Sequence, residues 1–229
     1  MRHSNKKHIF FDLDHTLWDF EKNSALTFRK VFGDYKVVVD HDEFIRLYVP
    51  INARYWKLYR DDKITQQELR LGRLQETFDS LEYSINNDML ENLSAQYVRN
   101  LPNFNHLYEG AVDLLEYLKP KYNLHIITNG FHDVQAGKLK NSNIEHYFRT
   151  VTNSEMAGCK KPNPVIFEYA LNAAHATKVE SIMIGDCIEA DVQGALDCGL
   201  DAIFFNEHGV GVHPTITQVN HLLEIKNIL

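Results

Sequence analysis

The sequence contains few cysteines, and their number and spacing argue against a disulfide framework and against a cysteine-ligated metal site. Three are present among 229 residues, Cys159, Cys187 and Cys198. Three cysteines cannot all pair within one chain, and none stands at the short spacing by which cysteines hold a metal ion. This usage favours a reduced, cytoplasmic setting.

Long hydrophobic runs and an excess of positive charge are also lacking. The basic, polar start of the chain leads into an apolar run only a few residues long, too short for a signal peptide or a membrane span. The formal net charge is −7, so the broad basic surface that binds a nucleic acid polymer is not expected. We therefore expect a cytoplasmic protein that binds neither membrane nor nucleic acid polymer and is a monomer or a weak homodimer.

Glycine is scarce in one stretch, which separates two regions of different character. Between residues 21 and 100 the sequence has only Gly33 and Gly72. Apolar residues recur there three and four positions apart, which indicates consecutive helices. A short β-type run at 36–39 is the one candidate strand. We predict an all-helical domain at 18–103.

The rest of the chain alternates between strand and helix patterns. Predicted strands lie at 8–13, 124–128, 150–152, 181–184 and 202–205. Predicted helices lie at 111–118, after Gly130 to about 141, at 164–174 and at 189–198. Such alternation implies right-handed crossovers and a parallel sheet. We predict an α/β fold with a Rossmann-like core at 1–17 and 104–229, into which the helical domain is inserted after the first strand.

Polar motifs follow predicted strands at the carboxyl ends, where ligands of open α/β sheets bind. The first, Asp12-Leu13-Asp14-His15-Thr16, places two acids two residues apart, roughly 6.6 Å along a strand, so that they could flank one phosphoryl group. A pair of exposed acids at a strand end explains this pattern equally well. The second, Thr128-Asn129-Gly130, offers a hydroxyl and an amide to a phosphoryl oxygen, although Asn-Gly is also an ordinary turn signal.

The third and fourth motifs supply a cation and further acids. Lys160-Lys161-Pro162 could offset the charge of a phosphoryl group in transfer, although adjacent lysines usually mark a solvated loop. Gly185-Asp186, followed by Asp191, provides candidate oxygen ligands for Mg2+, although an acidic helix start has the same pattern. The order of the four motifs is far more specific than any one of them.

Together, D-L-D-H-T, T-N, K-P and G-D-x-x-x-x-D resemble the haloacid dehalogenase (HAD) superfamily of phosphohydrolases. The resemblance spans essentially the whole chain, and the helical block is similar to the inserted helical cap of that superfamily. It implies a Rossmann-like core, Mg2+ as cofactor, and hydrolysis of a small phosphate monoester through an aspartyl-phosphate intermediate.

The resemblance also implies roles for the acids. Asp12 would attack phosphorus. Asp14 would protonate the leaving oxygen and then take a proton from water. Magnesium would bind Asp12, the backbone carbonyl of Asp14 and Asp186, with Asp191 as outer-sphere support.

The remaining motif residues receive binding roles from the same resemblance. Thr128 and Asn129 would bind phosphoryl oxygens, and Lys161, the lysine directly before proline, would stabilise the transition state. Two positions depart from the family pattern. His15 stands where many relatives have glycine, and Cys187 where serine, threonine or asparagine is commoner; neither change removes a charged group.

Smaller features are similar to the noncanonical pyrimidine nucleotidase branch, whose members remove the 5′-phosphate from nucleoside monophosphates. These features are Asp14 to Phe20, Ile126 to Phe131, Gln135, Lys138-Leu139, Ser154-Glu155, Gly158 and Phe204-Phe205-Asn206. In the helical block, aromatic residues such as Tyr48, Tyr55 and Trp56 could stack on a base. Their helical spacing fits packing within the block as well.

Other activities remain open on the same scaffold. A sugar-phosphate phosphatase, a phosphoglycolate phosphatase and a phosphosugar mutase would all keep the four motifs. A 2-haloacid dehalogenase would not need Asp14 as an acid. A receiver-like signalling domain also phosphorylates an aspartate, but such domains are shorter and lack a helical insert. A silent binding module is disfavoured because every charged position of the motif set is filled.

Overall fold

The structure, a computed structural model, describes residues 5–229, so the first four residues of the predicted core lie outside the described part. The chain forms two compact units. One, the α/β unit, takes residues 5–20 and Asn105–Leu229; the other, the helical unit, is Glu21–Phe104.

The α/β unit is built on a parallel sheet of six strands. They are β1 His8–Phe11, β2 Asn123–Thr128, β3 Phe148–Asn153, β4 Ser181–Gly185, β5 Asp201–Phe205 and β6 Gln218–Val219. Their order is β3-β2-β1-β4-β5-β6, and each neighbouring pair is parallel. The inner strands are apolar and buried because helices cover both faces of such a sheet. The predicted α/β fold with a parallel sheet is confirmed.

The sheet reverses its direction of growth beside β1. Phe11, the last residue of β1, pairs with Ile126 of β2 on one side and with Ile184 of β4 on the other. The segments that follow these three strands therefore emerge next to one another. Such a switch point is where open α/β sheets form their ligand sites.

Three of the four helices predicted in the α/β unit form as single α-helices, and one short helix, Ser154–Ala157, is present that the sequence did not predict. The α-helices are α5 Ala111–Leu118, α6 His132–Asn141, α7 Ser154–Ala157, α8 Pro164–Ala174 and α9 Gly194–Asp197, and short 3-10 turns lie at Glu145–Tyr147 and Leu222–Asn227. The exception is the single helix predicted at 189–198. There the chain forms a π-helical turn, Ile188–Gln193, before α9. The carbonyl of Cys187 accepts from both Asp191 N and Val192 N, at 2.9 and 3.2 Å, which widens this turn.

The helical unit contains a short 3-10 turn at Leu101–Asn103 and four α-helices, the first of which begins one residue before the unit. The α-helices are α1 Phe20–Tyr35, α2 His41–Arg60, α3 Gln66–Ser80 and α4 Asn87–Asn100. Aromatic side chains form its core: Phe28 packs against Phe44, Tyr48 and Tyr97 with ring centroids 4.9, 4.7 and 4.3 Å away. Tyr48 is therefore a packing residue, whereas Tyr55 is only partly buried.

The strand predicted at 36–39 does not form, because these residues end α1 instead. Lys36 takes the left-handed conformation, with φ 56°. The N–H of Val37 donates to the carbonyl of Phe32 at 2.9 Å, which closes the last turn of the helix. Among the described helices, none has both the length and the apolar character needed to cross a bilayer.

Candidate active site

Three carboxylates meet at the carboxyl edge of the sheet. Asp12 follows β1, Asp186 follows β4, and Asp191 lies in the π-helical turn; an oxygen of each lies within 4.8 Å of the others. Glycine at position 185 makes this possible, since a Cβ there would collide with the side chain of Asp191. The sheet topology and one missing side chain thus bring these acids together.

A single buried lysine joins two of these acids. The Lys161 ammonium lies 2.6 Å from Asp12 Oδ1 and 2.6 Å from Asp191 Oδ1, and it donates to the carbonyl of Ile127 at 2.7 Å. An ammonium has three hydrogens, so these contacts use all of them. The side-chain amide of Asn129 holds the backbone of Lys161 from both sides, accepting from its N–H at 2.7 Å and donating to its carbonyl at 3.0 Å.

The electrostatics of this cluster favour an additional cation. Desolvation, together with the charges of Asp191 and Asp186, raises the pKa of Asp12 to about 8 even though Lys161 opposes the shift. Desolvation and Asp191 likewise raise the pKa of Asp186 to about 8. Burial disfavours charge on Lys161, but Asp12 and Asp191 outweigh it and raise the pKa of that ammonium. Three carboxylates beside one ammonium form a donor set that fits a hard divalent cation.

The carboxylate of Asp14 is held by a second group of side chains. Lys138 Nζ lies 2.5 Å from Asp14 Oδ1, and Gln135 Nε2 donates to Asp14 Oδ2 at 2.9 Å. The same Gln135 nitrogen donates to Thr128 Oγ1 at 2.7 Å. Sequence reasoning gave neither Gln135 nor Lys138 a role in the site. Their spacing on α6, three residues apart and both buried, is the signal that places them on one inward face.

Asp14 lies in a turn and not, as the sequence had predicted, at the end of a strand. Strand β1 stops at Phe11 and not at Leu13, so the spacing expected for two acids on a strand does not apply. The carbonyl of Leu13 instead accepts from the N–H groups of Leu17 and Trp18, at 3.0 and 2.8 Å. His15 takes φ 59° in this turn, a conformation that favours glycine and so accounts for the glycine of many relatives.

The second and fourth motifs use their side chains in ways that spacing did not reveal. Thr128 Oγ1 accepts from Gly130 N at 3.1 Å as well as from Gln135, so its own hydrogen is left to donate. The sulfur of Cys187 accepts from Ala190 N at 3.4 Å and caps the π-helical turn. Serine, threonine and asparagine are the usual caps at such a position.

Comparison with known proteins identifies the family. A family model described as haloacid dehalogenase-like hydrolase matches residues 6–199, and the chain belongs to this family. The chain is 32% identical to pyrimidine 5′-nucleotidase YjjG of Escherichia coli (strain K12), over 96% of each chain. It is also 32% identical to pyrimidine 5′-nucleotidase PynA of Streptococcus pneumoniae (strain ATCC BAA-255 / R6), over 96% of this chain and 90% of the relative.

A solved structure of a related protein has the same fold along nearly the whole chain. The crystal structure of YfnB from Bacillus subtilis bound to magnesium superposes with a TM-score of 0.88 at 28% identity, covering 98% of both chains. The predicted resemblance to the HAD superfamily and to its pyrimidine nucleotidase branch is thereby confirmed, as is the predicted enzyme class, a hydrolase of phosphoric monoesters.

Proposed function

We propose that this phosphatase transfers the phosphoryl group of a small monoester to Asp12 and then to water. The observation that carries the proposal is the ion pair of 2.6 Å between Asp12 and the buried Lys161. An ammonium anchored there lies where the charge of a phosphoryl group in transfer would develop. It needs no reorganisation during the reaction, because Asn129 already fixes its backbone.

In the first step, an oxygen of Asp12 forms a bond to phosphorus while the bond from phosphorus to the ester oxygen breaks. Asp14 gives its proton to the departing oxygen, which leaves as an alcohol. In the second step, Asp14 takes a proton from water as the water oxygen bonds to phosphorus. The bond between phosphorus and Asp12 then breaks, which releases inorganic phosphate and restores both acids.

Magnesium is the cation that we propose for the carboxylate cluster. Asp12, the backbone carbonyl of Asp14 and Asp186 would hold it, and Asp191 would support this set while keeping Lys161 in place. When bound, magnesium offsets the repulsion between the Asp12 carboxylate and a phosphate dianion.

The phosphoryl oxygens would be bound by Thr128, Asn129 and Lys161. The hydrogen of the Thr128 hydroxyl supports this, because both acceptor positions of its oxygen are already used by Gly130 and Gln135. The side-chain amide of Asn129 is committed to Lys161, so its contact with phosphate would come from its backbone N–H.

The substrate that we propose is a nucleoside 5′-monophosphate, with pyrimidine bases preferred. Support comes from the two pyrimidine 5′-nucleotidases that the chain resembles over nearly its full length. Selection of the base would fall to the helical cap, placed by the sequence at 18–103.

A magnesium-dependent screen tests this proposal. Purified protein is assayed for phosphate release from nucleoside 5′-monophosphates, sugar phosphates and phosphoglycolate, with Asp12→Asn protein as the background control. We expect a pyrimidine nucleoside 5′-monophosphate to give the highest kcat/KM. A sugar phosphate or phosphoglycolate in first place would reject the nucleotidase assignment, and turnover that requires a bisphosphate activator would indicate a mutase.

A further inference from the structure

One pair of buried side chains in the α/β unit contacts the site without belonging to its motifs. Lys138 and Gln135 reach Asp14 from α6, more than 120 positions away in the sequence. Each binds a different oxygen of the carboxylate: Lys138 binds Oδ1 and Gln135 binds Oδ2. Two donors on two oxygens restrict rotation of the carboxylate about its last bond.

Lys138 is more deeply buried than Asp14, the acid that it contacts. The side chain of Lys138 is 2% exposed, whereas that of Asp14 is 21% exposed. The ammonium also lies over the rings of Trp18 and Phe20, 4.3 and 5.3 Å from their centroids. Asp14 can therefore meet a substrate oxygen while its lysine partner stays enclosed behind it.

We propose that Lys138, assisted by Gln135, is a positioning residue for the proton transfers of Asp14. This inference rests on the proposed function, in which Asp14 protonates the leaving oxygen. Proton transfer in a transition state requires the acid to stand within hydrogen-bond reach in one orientation. The contacts on both oxygens hold the carboxylate in such an orientation. Gln135 also ties it to Thr128, a proposed phosphate ligand, and so couples the proton donor to the phosphoryl group.

Gly130 is the local feature that admits Gln135 to this position. A Cβ on Gly130 would collide with the side chain of Gln135. The absence of a side chain at Gly130, the last residue of the second motif, is therefore required for packing as well as suited to a turn. It leaves room for the amide that bridges Thr128 and Asp14.

The test uses the dependence of the rate on the leaving group. A good leaving group such as p-nitrophenolate departs without a proton, whereas an alkoxide needs one. We expect Lys138→Met to lower kcat/KM roughly 100-fold for an alkyl phosphate but less than about 10-fold for p-nitrophenyl phosphate, because general acid catalysis contributes about 10²- to 10⁴-fold. Lys140→Met is the matched control, since Lys140 lies on the same helix and is exposed.

A second arm asks whether Lys138 acts through Asp14. In an Asp14→Asn background, Lys138→Met should cause no further loss with the alkyl phosphate, since non-additivity is the mark of residues that act as one unit. Thermal unfolding of each variant shows whether it is folded, and Lys138→Leu, which also removes the donor to Asp14, replaces Lys138→Met if the latter is not.

The possible results separate the inference from the function on which it rests. An equal loss with both substrates, no loss with either, or an additive loss in the Asp14→Asn background would overturn the positioning role while leaving the phosphatase intact. Failure of the wild-type protein to release phosphate from any ester in the presence of magnesium would overturn the proposed function and this inference together.

Discussion

At the scale of single residues, the site depends on small side chains as much as on charged ones. Asp191 reaches Lys161 only because position 185 has no Cβ. Asp191 Oδ2 also accepts from the N–H of Cys187 at 3.0 Å, so the acid is fixed from two directions. An acid held in this way can orient Lys161 without itself touching the substrate.

Replacing Gly185 with alanine should therefore damage activity more than folding. The new methyl group displaces Asp191 and loosens Lys161, and we expect kcat/KM to fall roughly 10- to 100-fold, the range found when outer-shell partners of a metal site are lost.

Gly33→Ala is the matched control. A Cβ at Gly33 meets nothing within 4 Å, and Gly33 lies inside α1. Alanine there should preserve activity and stabilise the protein by about 0.5 to 1 kcal/mol. Equal activity of the two variants would contradict this account of Gly185.

The sequence predicted that the motif residues lie together, but it did not predict which other side chains hold them. Asp12, Lys161, Asp186 and Asp191 could be predicted to gather because strand ends of a parallel sheet share an edge. The hydrogen bonds of Gln135 to Asp14 depend on how α6 is placed beside the sheet, 121 positions along the chain. No local pattern encodes that placement, so the burial of Gln135 and its contact with Asp14 are known from the structure alone.

At the scale of elements, strands β1 and β2 carry a buried pair of histidines at the end away from the site. His8 Nδ1 and His125 Nε2 lie 3.1 Å apart, and His125 Nδ1 is 2.8 Å from Thr150 Oγ1 on β3. Desolvation, with a contribution from His8, lowers the pKa of His125 from 6.5 to about 4. Desolvation also lowers the pKa of His8. Burial therefore disfavours the charged form of both rings in the folded protein.

This pair should make stability depend on pH. Below pH 6.5 the unfolded chain protonates His125 and the folded chain does not, so the free energy of unfolding falls as the pH falls from 6.5 towards 4. We expect His125→Gln to remove up to about 3 kcal/mol of that fall. His208→Gln, at an exposed histidine, should leave it unchanged. Urea unfolding at several pH values measures both, and a wild-type slope that persists in His125→Gln would refute the assignment.

Hydrophobic periodicity predicts most helices and strands but fails at some of their ends. Most strands and helices follow from apolar spacing, because burial on one or both faces fixes that spacing. The β-branched run at 36–39 misled the prediction, since its backbone groups end α1 instead of pairing. Strand β6, Gln218–Val219, is too short to show a pattern. The π-helical turn arises because the carbonyl of Cys187 accepts two hydrogen bonds, and the residue types in this segment do not predict that arrangement.

At the scale of the whole molecule, the α/β unit explains why four motifs spread over 180 positions of the sequence lie close together. They span Asp12 to Asp191 in the sequence, yet all follow strands that end at one edge of one sheet. The helical unit, Glu21–Phe104, is inserted between the first motif and the second. The chemistry is therefore assigned to the α/β unit, and the choice of substrate is left to residues that the motifs do not include.

The central claim is that Asp12 carries the phosphoryl group, and trapping that intermediate tests it most directly. Protein mixed with magnesium and a phosphate monoester is quenched in acid within the first turnover and treated with borohydride, which reduces an acyl phosphate to an alcohol. We expect mass spectrometry to find homoserine at position 12 in the wild-type protein, and Asp12→Asn protein to show neither homoserine nor turnover. Phosphate release without modification of Asp12, or an Asp12→Asn protein as active as the wild type, would contradict the mechanism.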